Sequence, residues 1–245
     1  MKPTLTSAPD LAPLLVFGAH PDDIEFGCGG VVALETRLGR PAHLVICSRG
    51  ESASNGSPEQ RRAEAEQGAK LLGASLEFVT LDGDAHLEIK VIHAITLAAM
   101  IRRRRPGILL APTLVENQHP DHARLGRLVR DAARLARYGG LAELRDLPSH
   151  SIGQLLYYAL TTEAEPKDIS PILIDVSAPE VVQAWASAME AHASQIRTRN
   201  YVEWQLLRAR SAGAQAGVDH AIALFPNDPV LVDSLHAVDR GARRF

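Results

Sequence analysis

The sequence has few cysteines, few aromatic residues and no long apolar run. Two cysteines in 245 residues cannot build the disulfide framework of a small secreted domain. No apolar run approaches the roughly 20 residues of a membrane span, and residues 1–6 lack the apolar stretch of a signal peptide. These absences predict a cytoplasmic protein with no membrane partner.

An excess of charge of one sign is also missing. The chain has 26 Lys and Arg against 29 Asp and Glu, a formal net charge of −3. This balance provides no electrostatic basis for binding nucleic acid. A length of 245 residues suits one large α/β domain with its own core. Because no repeat, low-complexity tract or linker divides the sequence, we expect a single domain over residues 1–245.

Short apolar runs alternate with helix-like segments along most of the chain. Four runs read as buried strands, each followed by a helical pattern: residues 14–17, 42–47, 76–81 and 107–111. Two further strands are predicted over 155–158 and 172–176, and two helices over 179–197 and 201–213. The repeated β-α alternation predicts an α/β fold, with a three-layer, Rossmann-like, mostly parallel sheet and helices on both faces.

A polar loop follows the first predicted strand and contains one imidazole and three carboxylates. These are His20, Asp22, Asp23 and Glu25, just before the start of a helix. In an open α/β sheet, ligands bind outside the carboxyl ends of the strands, where this loop emerges. Such a cluster is costly to desolvate unless a cation or a proton compensates it. The loop therefore predicts a bound cation.

A second loop, His-Pro-Asp-His at residues 119–122, follows the fourth strand. Pro120 suits the first position of a helix, so His119 and His122, three residues apart, can face the same side. In a parallel sheet, this loop opens on the same edge as the first. The two loops together bring histidines and carboxylates to one place.

The two loops can supply the donors of a catalytic zinc site, which are often two histidines and one carboxylate. His20 and Asp23 can chelate one ion with a histidine of the second loop, although spacing does not decide which histidine. Asp22 then remains as a general base beside the ion. Ferrous iron favours the same donors, so Zn²⁺ is predicted with Fe²⁺ as the alternative.

The glycines of the first loop suggest a competing interpretation, a turn that binds a dinucleotide pyrophosphate. Val32 stands where the third glycine of that fingerprint belongs, and the carboxylates of the loop would repel phosphate. We therefore expect Gly27, Gly29 and Gly30 to allow close packing of the helix on a strand. Cys28 is expected to point into the helix rather than bind the metal.

Three other polar segments are interpreted structurally. Residues 102–105 are four arginines at a predicted helix end, where they suit the macrodipole, so a solvated surface is expected rather than a phosphate patch. The Asp-Gly-Asp segment at 82–84 is interpreted as a turn. Ser57 and Gly73 are expected to begin and end the second helix.

The segments His-Pro-Asp-Asp-Ile-Glu at 20–25 and His-Pro-Asp-His at 119–122 resemble the signature motifs of the LmbE-like, or PIG-L, family of zinc-dependent N-acetylglucosaminyl deacetylases. Residues 48–51, 55–64 and 214–218 resemble the branch that contains the bacillithiol-biosynthesis deacetylases. The resemblance implies an LmbE-like fold and N-acetylglucosaminyl-malate as substrate. The alternatives are another amidosugar (chitobiose-like or a thiol conjugate), a metal-dependent ester or phosphoester hydrolase, and a non-catalytic sugar- or nucleotide-binding module.

Carried over by position, the resemblance implies roles for nine residues. The metal ligands are expected to be His20, Asp23 and His122. The catalytic residues are expected to be Asp22 as general base, His119 as electrostatic or acid partner, Asp121 as its support, and Tyr201 at the oxyanion. The substrate-binding residues are expected to be Arg61, toward an acidic aglycone, and Arg49.

One residue departs from the family pattern, and the resemblance also implies an assembly. Gln118 stands where relatives often have an arginine, which weakens the prediction of a malate-bearing substrate. Relatives commonly form rings of identical subunits. A homo-oligomer, a trimer or a hexamer, is therefore expected.

Overall fold

One mixed sheet organises the computed structural model, which describes residues 11–116, 119–239 and 241. In chain order its strands are β1 (Leu14–Gly18), β2 (Ala42–Ile46), β3 (Ser75–Phe78), β4 (Ile108–Pro112), β5 (Gln154–Tyr158), β6 (Ile172–Asp175) and β7 (Ala221–Pro226). Their spatial order is β3-β2-β1-β4-β5-β7-β6. The strands β1 to β5 are parallel, whereas β7 runs antiparallel to both of its neighbours.

Helices cover both faces of this sheet. They are α1 (Asp23–Arg37), α2 (Pro58–Leu72), α3 (Val91–Arg104), α4 (Pro120–Arg137), α5 (Pro179–Glu190) and α6 (Tyr201–Ala216). Helices α1, α2, α5 and α6 share one core, and α3 and α4 share the other. This arrangement confirms the predicted α/β fold with a mostly parallel sheet. None of the described helices is long and apolar enough to cross a membrane.

The central strand β1 shows why two cores form. All of its side chains are buried. Leu14 and Val16 belong to the core under α1, while Leu15 and Phe17 belong to the core under α3 and α4. Because successive side chains of a strand point to opposite faces, a continuous apolar run is what a strand covered on both sides requires.

The start of α1 packs closely on its neighbours, as the glycines predict. A Cβ atom on Gly27 would lie 2.2 Å from Cδ2 of Tyr158 in β5, and one on Gly29 would lie 2.7 Å from Cδ1 of Trp185 in α5. Cys28 is fully buried in the same core. The first turns of α1 can therefore contact these aromatic rings only because glycine has no side chain at Gly27 and Gly29.

The predicted ends of α2 are confirmed. The Ser57 side chain accepts a hydrogen bond from the backbone N–H of Gln60 at 3.2 Å, and Gly73 adopts a left-handed φ of 75° at the helix end. These caps satisfy backbone groups that a helix otherwise leaves unpaired.

The helix predicted over residues 179–197 is too long, since α5 ends at Glu190. Beyond it, His192 and Ser194 are fully buried. The backbone N–H and the hydroxyl of Ser194 both donate to the Glu64 carboxylate of α2, at 2.9 and 2.6 Å. These tertiary bonds replace the helical ones and tie the segment after α5 to α2.

The expectation that residues 102–105 are solvated is wrong for Arg102. Arg103 is exposed, whereas Arg102 is only 2% exposed. The Arg102 guanidinium donates to the backbone carbonyls that follow α4, together with two in its last turn: those of Leu135, Ala136, Tyr138, Leu144 and Leu147. Arg102 of α3 therefore satisfies carbonyls at the end of α4 and holds the following turn against α3.

Candidate active site

The carboxyl edge of the sheet brings both predicted loops together. The loop before α1 leaves β1, and the loop before α4 leaves β4, which pairs with β1 in parallel. The connection after β3 reaches the same place. Connections from three parallel strands of the sheet therefore surround one point at its carboxyl edge, where ligands bind in open α/β sheets.

His20, Asp23 and His122 converge at this point and are all buried. One donor atom from each lies within 4.8 Å of the others. Oδ1 of Asp23 is 3.1 Å from Nε2 of His122, and Oδ2 is 3.5 Å from Nδ1 of His20. Two imidazoles and one carboxylate form a donor set that suits zinc or ferrous iron, so these residues fit the predicted metal.

The backbone of the first loop fixes Asp23 in place. Its Oδ2 atom accepts hydrogen bonds from the N–H groups of Ala19 and His20, at 2.8 and 2.9 Å. Burial acts to raise the pKa of Asp23, but His122 and His20 outweigh it and hold this pKa well below its ordinary value. The carboxylate is therefore ionised and positioned to bind a cation.

A second group of donors shares His20 and lies beside the first. Nε2 of His20 is 3.2 Å from Oδ1 of Asp84 and 3.4 Å from Oδ2 of Asp121. The same Asp84 oxygen is 3.5 Å from Nε2 of His119. Carboxylates on the outer nitrogen of a metal-binding histidine fix its ring and tautomer. Asp84 thus connects both histidines.

Sequence reasoning missed Asp84, which was interpreted only as part of a turn. Burial acts to raise its pKa, but hydrogen bonds with His119 and His20 lower it far below the ordinary value. The one signal in the sequence is its place after β3, on the same edge as the two motif loops. Asp121 is held by the N–H of Ala85 at 2.8 Å, so the turn supports this residue as well.

Asp22 has a strained backbone and an unusual acidity. It precedes α1 with φ 116° and ψ −26°, a conformation that non-glycine residues rarely adopt. Burial, together with the adjacent Asp23 charge, raises its pKa to about 6, although Arg61 acts in the opposite direction. A carboxylate that exchanges a proton near neutral pH has the property required of a general base.

Comparison with known proteins agrees with this geometry. Residues 15–133 match the family model described as PIG-L, GlcNAc-PI de-N-acetylase. These residues, just under half of the chain, resemble the PIG-L family. The matched residues include both motif loops and the Asp84 turn, so the whole cluster of histidines and carboxylates lies within the PIG-L match.

Three proteins illustrate what this chain is similar to. The chain is 33% identical over 138 residues to 4-oxalmesaconate hydratase from Pseudomonas putida, covering 51% of this chain and 53% of the hydratase. It is 26% identical over 208 residues to diacetylchitobiose deacetylase from Thermococcus kodakarensis, covering 80% and 74%. The crystal structure of the conserved protein TT1542 from Thermus thermophilus superposes with a TM-score of 0.78 at 30% identity, covering 91% and 97%.

The predicted bacillithiol branch finds no support among these names. The resemblance to bacillithiol-biosynthesis deacetylases is matched by none of these three names. That branch stays a prediction. Gln118, on which part of it depends, lies outside the described residues.

A cleft of about 490 Å³ opens beside the PIG-L motif residues. Tyr201, the first residue of α6, lines it, as do Asp22, His119 and Arg61. Arg61 is only 4% exposed, and its Nη2 donates to the carbonyl of Pro21 at 2.6 Å and to Asp22 at 3.3 Å. Arg61 therefore forms an ion pair with the predicted base.

Arg49 lies apart from the other predicted site residues. Its side chain is exposed and is not among the residues that line the cleft. Its backbone N–H donates to the Glu51 carboxylate at 3.0 Å, which stabilises the local turn. The structure thus brings the other eight predicted residues to one site. Substrate contact by Arg61 or Arg49 stays a prediction.

Proposed function

We propose that this PIG-L-like protein is a metal-dependent N-deacetylase that removes the acetyl group from an N-acetylglucosamine-containing small molecule. The observation that carries the proposal is the place of Asp22, which lines the cleft beside the buried His20, Asp23 and His122 set. A module that only binds sugar has no need of a base there. The deacetylase named among the relatives supports the same reaction.

The chemistry follows from the residues around the cleft. A divalent ion held by His20, Asp23 and His122 supplies a Lewis acid that polarises an amide carbonyl and lowers the pKa of water. Asp22 accepts the proton of the attacking water and returns it to the departing amine. His119 stabilises the negative charge that develops on the carbonyl oxygen.

Two supporting groups keep these side chains in their roles. Asp84 lies within hydrogen-bonding distance of His20 and at 3.5 Å from His119, so it holds both rings. Tyr201 lines the same cleft and offers a hydroxyl as a second donor to the oxyanion. Positioned donors of this kind act in a water-poor site without reorganisation during the reaction.

A hydratase for a carboxylated substrate is the main alternative from the comparisons. Recognition of several carboxylates calls for several cations. Among the described residues that line the cleft, Arg61 is the only arginine or lysine, and it is already paired with Asp22. The charge of the cleft therefore favours the deacetylase.

Acetate release from a panel of N-acetylated sugars, including N-acetylglucosaminyl-malate and N,N'-diacetylchitobiose, tests the proposal. Asp22→Asn should lower turnover by roughly 10²–10⁴-fold, the usual contribution of a general base. Metal analysis of the variant provides the control, because Asp22 is not in the ligand set. Near-normal turnover with metal bound would show that Asp22 is not the base.

A further inference from the structure

One wall of the cleft is aromatic. Tyr201 and Trp204, three residues apart on α6, both line it. Their rings are nearly parallel, at 24°, with centroids 6.2 Å apart. We call this pair the aromatic wall. Phe26 extends it from α1, with its ring centroid 6.1 Å from that of Tyr201.

The Trp204 ring contacts Tyr201 and Arg199 and lies outside the hydrophobic cores. Tyr201 packs against the core under α1, but Trp204 is absent from both hydrophobic cores of the described residues. The other tryptophan, Trp185, is only 1% exposed and fills the centre of one core. A half-buried indole that lines a cleft from outside the hydrophobic cores points to a ligand contact.

The rest of the cleft is polar but offers little positive charge to an acidic aglycone. Arg61 is buried and paired with Asp22. Arg199 does not line the cleft and stacks on the aromatic wall, 5.4 Å from the Trp204 ring centroid. Neutral hydrogen-bonding side chains line the cleft instead: Ser52, Ser54, Asn55, Thr161, Gln195 and Thr198.

We propose that Trp204, with Tyr201, forms a subsite for an uncharged sugar ring attached to the N-acetylglucosamine unit. This inference rests on the proposed deacetylase function and specifies its substrate class as a neutral disaccharide or glycoside. The apolar C–H face of a pyranose stacks on the aromatic wall, while its hydroxyls pair with the neutral polar residues opposite. A carboxylate in the same place finds no unpaired cation among the described lining residues.

The kinetic test compares acetate release from N,N'-diacetylchitobiose, N-acetylglucosamine and N-acetylglucosaminyl-malate. The wild type should prefer the disaccharide in kcat/KM over both other compounds. Trp204→Ala should lower the ratio of kcat/KM for disaccharide to monosaccharide about tenfold, and Trp204→Phe should retain most of it. Leu207→Ala is the matched control, since Leu207 lies on the same helix, 51% exposed and outside the cleft.

A binding measurement separates this inference from the catalytic proposal. The chain has two tryptophans, so its tryptophan fluorescence reports on Trp204 and Trp185 alone. N,N'-diacetylchitobiose should change the emission of Trp204. The change should vanish in Trp204→Phe, in which Trp185 remains as an internal reference. Acetate from none of the three compounds would refute the deacetylase, and the fluorescence titration would still decide the subsite. Preference for the malate compound with no effect of Trp204→Ala, or no fluorescence change with chitobiose, would overturn the subsite.

Discussion

Asp84→Asn tests whether the turn after β3 is part of the metal site. Oδ1 of Asp84 faces His20 and His119 at 3.2 and 3.5 Å, and Oδ2 accepts the N–H of Ser52 at 3.2 Å. Asparagine has nearly the same shape but only one acceptor oxygen. It therefore cannot serve both the histidines and Ser52, and it carries no charge to stabilise the imidazoles.

The expected loss follows from what such partners contribute elsewhere. Removing a hydrogen-bond partner from the outer nitrogen of a metal-binding histidine typically lowers metal affinity 10–100-fold, or about 1.4–2.7 kcal/mol. Because Asp84 is only 5% exposed, solvent cannot replace the lost interaction. We expect the zinc affinity of Asp84→Asn to fall within that range, and turnover at limiting zinc to fall with it.

Competition with a chromophoric chelator measures this affinity directly, without the substrate. Asp82→Asn is a matched control from the same Asp-Gly-Asp turn. The Asp82 carboxylate binds Lys90 and His93, at 2.7 and 2.8 Å, and not the metal-site histidines. Zinc affinity within twofold of wild type in Asp84→Asn, or an equal loss in Asp82→Asn, would refute the assignment.

Three further predictions concern stability, acidity and the ion. Arg102→Met removes a buried charge and leaves backbone carbonyls unpaired, so it should cost about 3–5 kcal/mol and lower Tm by on the order of 10 °C in a thermal melt. Arg103→Met, with an exposed side chain, should change Tm little, and equal shifts would contradict the interpretation. Burial raises the pKa of Asp22 to about 6, a bound cation lowers it, and the ionised form is the base, so kcat/KM should fall as the pH drops, with a midpoint at or below about pH 6. The residual activity of Asp22→Asn should lack this fall, and an identical acid limb in that variant would exclude Asp22 as the base. Complete chelation should abolish acetate release and added Zn²⁺ or Fe²⁺ should restore it, so activity in the metal-free protein would refute a metal-dependent reaction.

The parts of the fold that depend on local pattern were predictable. The apolar run of β1 is buried on both sides, so its sequence reflects its environment directly. Strand β7 (Ala221–Pro226) was missed because its place between β5 and β6 is decided by pairing with distant strands. The end of α5 was misplaced for a similar reason, since the buried Ser194–Glu64 contact overrides helix propensity beyond Glu190.

In the candidate site too, some residues were predictable from local sequence pattern and others depend on tertiary contacts. The meeting of the two motifs was predictable because they follow the carboxyl ends of two neighbouring parallel strands. The choice of His122 over His119 came only from the family resemblance. Asp84 was not predictable, since Asp82 and Asp84 flank Gly83 in chemically equivalent positions. Only tertiary structure directs one carboxylate to Lys90 and the other to the histidines.

The first and last residues of the ligand set, His20 and His122, lie about a hundred positions apart along the chain, in the first and fourth β-α units. An unfolded chain does not hold these donors together, so the proposed ion would bind the native state only. By mass action, free metal at 100 times its Kd then adds about 2.7 kcal/mol to the free energy of unfolding. The lifetime of this protein against heat and proteases should therefore rise and fall with the metal supply around it.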